Sequence, residues 1–187
     1  PFASRAVKVM VLEPAPAVAL RPERSVHAAD LECRQCHAAV VDEWAVTAHA
    51  LAWLDEVYQE ELSDRKKPEL YHACHIPEPL LAGAPSDRAR ARAGEHELGV
   101  GCAACHLGPD GVWLGATGTA TDAHATAGSS SLTPAGSSAM CATCHDKNIG
   151  PVVGIAKDFA ASKQAERGRS CVDCHMAVVE RASADGA

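Results

Sequence analysis

Cys33-Arg34-Gln35-Cys36-His37 spells C-x-x-C-H, and the spelling returns at Cys102–His106, Cys141–His145 and Cys171–His175. Two thiols that can add to porphyrin vinyl groups as thioethers, followed at once by an imidazole that can ligate iron, are the chemistry of covalent c-type haem attachment. Paired thiols alone also suit a zinc knuckle or a redox disulfide. Neither use requires a histidine directly after every pair. Cys33, Cys36, Cys102, Cys105, Cys141, Cys144, Cys171 and Cys174 are therefore expected to hold four haems, with His37, His106, His145 and His175 on the irons.

A fifth copy is damaged. Tyr71-His72-Ala73-Cys74-His75 has Tyr where the first Cys belongs. Counting it, the sites begin at 33, 71, 102, 141 and 171, with gaps that alternate between 38, 31, 39 and 30 residues. His27 and His96 each lie six residues before their site, and Trp44 and Trp113 each lie seven after a site histidine. A two-haem unit at 27–95, a second at 96–165 and a final site within 166–187 fit this pattern. Cys74 alone reads as a free buried thiol or half of an intermolecular bridge. In this register it is expected to hold a fifth haem by one thioether, with His75 on iron and Tyr71 against the ring edge.

Five histidines remain: His27, His49, His72, His96 and His124. Their number matches the sites, so bis-histidine iron is expected throughout. His72 lies three residues from His75 and cannot reach over that same haem. Met10, Met140 and Met176 are read as core or surface filler. Histidine as sixth ligand keeps potentials low, because Met/His ligation raises them.

The elements that must position these groups are short. After His37, the run Ala38–Glu61 is helical in composition, with apolar residues at Val40, Val41, Trp44, Ala48, Leu51 and Leu54. On one such helix His49 would lie about 18 Å beyond His37, so it must serve a different haem. Asp64-Arg65-Lys66-Lys67-Pro68 ends the run in a charged turn. Ser86 or Asp87 is expected to cap a short basic helix through Arg92. Leu114–Ser138 reads as a Gly/Ala/Ser/Thr-rich loop pinned by His124, followed by a short helical site at Met140–His145. Ile155–Arg167 reads as a helix stopped by Gly168. Residues 1–26 read as an extended arm, with Val7, Val9 and Val11 on one face, lying along the body or a neighbouring subunit.

The predicted fold is mainly α with long loops, low in regular secondary structure, with that arm in front of one haem-stapled domain at 27–187. Aromatic residues are 4% of the 187, too few for a protein-only core of this size, so porphyrins would supply the missing apolar bulk. A net charge of −7 argues against nucleic acid or anionic lipid as partner. No apolar run is long enough for a transmembrane segment. Haem is attached to thiols outside the cytoplasm, so an exported periplasmic or extracellular protein is expected, with its signal sequence absent from this chain.

The string Cys33–His37, then Glu43-Trp44, Thr47 and His49-Ala50, resembles the cytochrome c-554-type multihaem family, whose pattern is C-x-x-C-H followed by W-x-x-S-x-H-A. Cys74-His75-Ile76-Pro77-Glu78-Pro79, Gly99-Val100 and Cys171–Met176 resemble it too. Thr47 for Ser and Tyr71 for Cys depart from that pattern, and only the second bears on a haem site. The resemblance implies a helical, loop-rich fold with closely stacked haem pairs, mostly bis-His, acting in electron transfer, and it places His49 on a neighbouring haem. The expected function is electron transfer rather than catalysis, with redox proteins or copies of the chain, as a homo-oligomer or filament, as partners. The rival reading is a small reductase of a nitrogen or sulfur oxyanion, with one five-coordinate haem at His75.

Overall fold

Alanine and leucine around the first thiol pair favour a helix, and α1 spans Ala28–Ala45. It bends at His37, whose backbone (φ −119°, ψ 39°) leaves the helical region. The structure, a computed structural model, describes residues 28–82, 88–118, 123–147, 154–176 and 178. The expected arm at 1–26 and His27 lie outside the described residues.

The helix expected over Ala38–Glu61 is broken in two. The Trp44 carbonyl accepts from both the amide (2.9 Å) and the hydroxyl (2.8 Å) of Thr47. Thr47 Oγ1 in turn accepts from the Ala50 amide at 3.2 Å. A hydroxyl that competes for backbone partners this way diverts the chain from the helical ladder. His49 therefore stands in a run of turns, not twelve residues up one helix. α2 (Glu56–Ser63) restarts on Asp55, whose carboxylate caps the Tyr58 amide at 2.8 Å, and stops at Asp64 as expected.

α3 (Glu69–His75), α4 (Cys102–His106), α5 (Pro134–His145) and α8 (Val172–His175) all end on the histidine of a site. One helical turn puts residues three apart on one face, which aligns the two sulfurs, and the chain then departs at the imidazole. Thr133 caps α5, accepting from the Gly136 amide at 3.3 Å. That start lies inside the expected loop, so the helix is longer than its motif alone implied. The rest of that loop is crossed by a small parallel pair, β1 (Trp113–Gly115) with β2 (Thr126–Gly128).

Two further expectations are corrected. The run Ile155–Arg167 forms two helices, α6 (Ile155–Ala160) and α7 (Lys163–Glu166), because the Ser162 hydroxyl accepts from the Ala165 amide and starts a new turn. Gly168, at φ +75°, ends the second as expected. The basic helix expected up to Arg92 is absent from residues 88–92: Ala91 forms an antiparallel bridge with Pro77, and Arg92 uses its side chain as a clamp.

Helices dominate, and among the described residues strand is confined to short stretches, so the fold is mainly α with loops. The core is thin. Among the described residues the buried apolar side chains include Val41, Ala50, Tyr58, Ile76, Pro77, Leu98 and Ala104. Among the described residues no helix is long and apolar enough to cross a membrane.

Candidate functional site

Each site histidine needs one ring nitrogen tied down and the other bare if it is to bind a metal. His75 Nδ1 donates to the Ala52 carbonyl at 2.6 Å, and His106 Nδ1 donates to the Leu114 carbonyl at 2.8 Å. A carbonyl only accepts, so both Nδ1 atoms carry the proton and both Nε2 atoms keep an in-plane lone pair. Burial pushes the His75 imidazole below its ordinary pKa, although the Ala52 carbonyl and Asp55 pull the other way. It stays neutral, as a ligand must.

Four imidazoles meet in two pairs. The ring centroids of His37 and His124 lie 6.4 Å apart, and those of His49 and His145 lie 6.1 Å apart. A metal–imidazole bond of about 2 Å on each side, with about 1 Å from each nitrogen to its ring centre, spans about 6 Å. The gap thus suits one iron between each pair. Burial and then the neighbouring His145 lower the pKa of His49, which keeps its lone pair free near neutrality.

His49 is held by its surroundings. Its carbonyl accepts from the Val100 amide at 2.8 Å, and the Trp44 indole N–H donates to the Val100 carbonyl at 3.0 Å. Gly99 has φ +56°, and a Cβ there would sit 2.5 Å from the His49 carbonyl oxygen. The approach needs glycine. Arg92 braces the same loop, donating to the carbonyls of Pro77 (3.2 Å), Gly94 (3.0 Å), Glu95 (2.7 Å) and Gly99 (3.2 Å).

The remaining histidines have other neighbours. His72 and His96 both pack against Trp53, at 5.2 and 4.6 Å. Among the described residues, His75, His106 and His175 have no second imidazole in ring contact. The thiols of different sites come together: Cys74 lies beside Cys144, and Cys141 beside Cys171. Burial pushes Cys105 up to about 11, with Cys141 adding to the rise. Cys171 stands on the wall of a cavity of about 480 Å³ that also reaches Ala142, Phe159, Lys157 and Arg169. Among the described residues no cluster of three or more His, Cys, Asp or Glu could hold a metal ion.

Sequence reasoning overlooked Tyr58, the Ala52 carbonyl and Arg92. Nothing in their spacing marks them, since each acts on a residue remote in the chain.

Helical turns that bring thiols and a following imidazole together, with the imidazole tethered through Nδ1 at His75 and His106, suit the attachment of c-type haem. The family model for cytochrome c554 and c-prime matches residues 32–107, a likeness that suggests covalently bound haem c. The sites at Cys141 and Cys171 lie beyond the match. No curated protein and no solved structure matches the chain.

Proposed function

We propose that this chain conducts electrons through five haems c, gripped for the most part by an imidazole on each face. The observation that carries the reading is the facing of His37 with His124 and of His49 with His145, at a separation fit for one iron. Cys33 and Cys36, Cys102 and Cys105, Cys141 and Cys144, and Cys171 and Cys174 would each hold one group by two thioethers, and Cys74 would hold a fifth by one. His37, His75, His106, His145 and His175 are the ligands from within the sites. His27, His72 and His96 are the further candidates for the opposite faces.

Bound haem supplies a reversible one-electron couple at each iron. The polypeptide fixes the spacing of these couples. The Cys74–Cys144 and Cys141–Cys171 contacts put neighbouring attachments side by side, which favours passage of electrons between sites. The thin core supports a fold stapled by its cofactors. Cytochromes of this type are typically exported, which supports a periplasmic or extracellular location. Redox proteins, or further copies in an oligomer or filament, are the partners.

A second reading has one observation in its favour. Tyr71 replaces the first thiol at the His75 site alone, and that odd attachment suits a small reductase of a nitrogen or sulfur oxyanion working at that iron. Carbon monoxide added to the reduced protein separates the two. A purely six-coordinate, low-spin spectrum that ignores the gas fits the conduit. Binding at one haem without unfolding fits the enzyme.

A further inference from the structure

Tyr58 belongs to no thiol site, yet its ring lies flat on the imidazole of His75, with centroids 3.5 Å apart and planes 5° from parallel. Stacking covers the π-face of the imidazole and leaves the in-plane lone pair of Nε2 untouched. The Asp55 cap pins the Tyr58 backbone at 2.8 Å, and the Trp53 ring closes on its edge at 5.9 Å. Three residues from Asp55 in the other direction, the Ala52 carbonyl holds His75 Nδ1 at 2.6 Å. One short stretch thus grips His75 at an edge and on a face.

The Tyr58 hydroxyl is buried without a hydrogen-bond partner, in a residue only 9% exposed. Packing, not a hydrogen bond from the hydroxyl, therefore holds the Tyr58 ring in place. The same site lacks its first thiol, because Tyr71 replaces Cys, so a group held there would have one covalent tether fewer than its neighbours. Rotation of an iron-bound imidazole about its metal–nitrogen bond is otherwise loosely restrained, and second-shell partners set it.

We infer that Tyr58 is a positioning residue for the single-thioether haem: it fixes the plane of the His75 imidazole. The inference rests on the proposal that Cys74 and His75 carry a haem. A flat ring is what the task needs, so phenylalanine serves and a flexible side chain of similar volume does not.

The test uses the fully matured protein and its Tyr58→Phe and Tyr58→Met variants. In the oxidised state, the low-spin electron paramagnetic resonance of each haem reports its imidazole planes. Tyr58→Phe keeps every signal in place. Tyr58→Met moves or broadens the signal of one haem by more than its linewidth and leaves the others unchanged. An unmoved spectrum in Tyr58→Met, or equal shifts in both variants, overturns the inference. The peptide containing Cys74 is weighed separately, and a peptide without haem overturns the underlying reading as well. Should Tyr58→Met fail to mature, the haem methyl proton shifts of the unaltered protein decide: an imidazole plane parallel to the Tyr58 ring upholds the role, and a crossed plane refutes it.

Discussion

His49 and His145 belong to separate parts of the chain, and their rings face each other at 6.1 Å with planes inclined by 53°. His145 ends a C-x-x-C-H site of its own on α5, whereas His49 stands in the turns between α1 and α2. In the proposed ligation the pair would tie the first two-haem unit to the second through one metal position.

If His49 and His145 share an iron as proposed, replacing His49 acts on the haem of the His145 site. His49→Met should raise the potential of one haem by on the order of a hundred millivolts or more, within the roughly 0.8 V that axial ligands span. His49→Ala should let carbon monoxide bind one reduced haem. Potentiometric titration and gas-binding spectra of the two variants check this, and an unchanged His145 haem would count against the pairing.

Gly99→Ala should destabilise the fold by about 2–4 kcal/mol, from left-handed backbone strain and overpacking together. The added Cβ would meet the His49 and Ala50 carbonyls at 2.5 and 2.8 Å. Denaturant unfolding followed by far-ultraviolet circular dichroism measures the loss. Because the clash falls on His49, the haem of His145 should be the first to change spin state.

Arg92→Met keeps the aliphatic stem and removes four hydrogen bonds to carbonyls. A cost of about 2–4 kcal/mol is expected, since bonds from a charged donor are worth more than neutral ones and two of the abandoned bonds, to the Pro77 and Gly99 carbonyls, are partly buried. Arg92→Lys should recover only part of it, because a point charge cannot reach along a planar fork. Thermal melts of the three proteins give the ranking.

The thiol sites were legible because their chemistry demands adjacent residues: nothing but spacing is needed to read Cys33–His37. Helix ends set by local chemistry, such as the stops at Asp64 and Gly168, were legible for the same reason. The breaks at Thr47 and Ser162 were not, since a hydroxyl that caps and one that merely faces solvent look alike in a sequence. The Trp113–Gly115 strand was hidden in a stretch of small residues, where its partner at Thr126–Gly128 decides the conformation. Which imidazole meets which, and what Arg92 and Tyr58 brace, depend on contacts between distant segments and leave no periodic trace.

The most direct measurement is the intact mass of the denatured protein after production in a host that matures c-type cytochromes. Five haem increments are expected, one of them on a peptide whose only thiol is Cys74. Four increments would remove the haem from His75, and none would contradict the proposal that porphyrins and paired imidazoles hold this chain together.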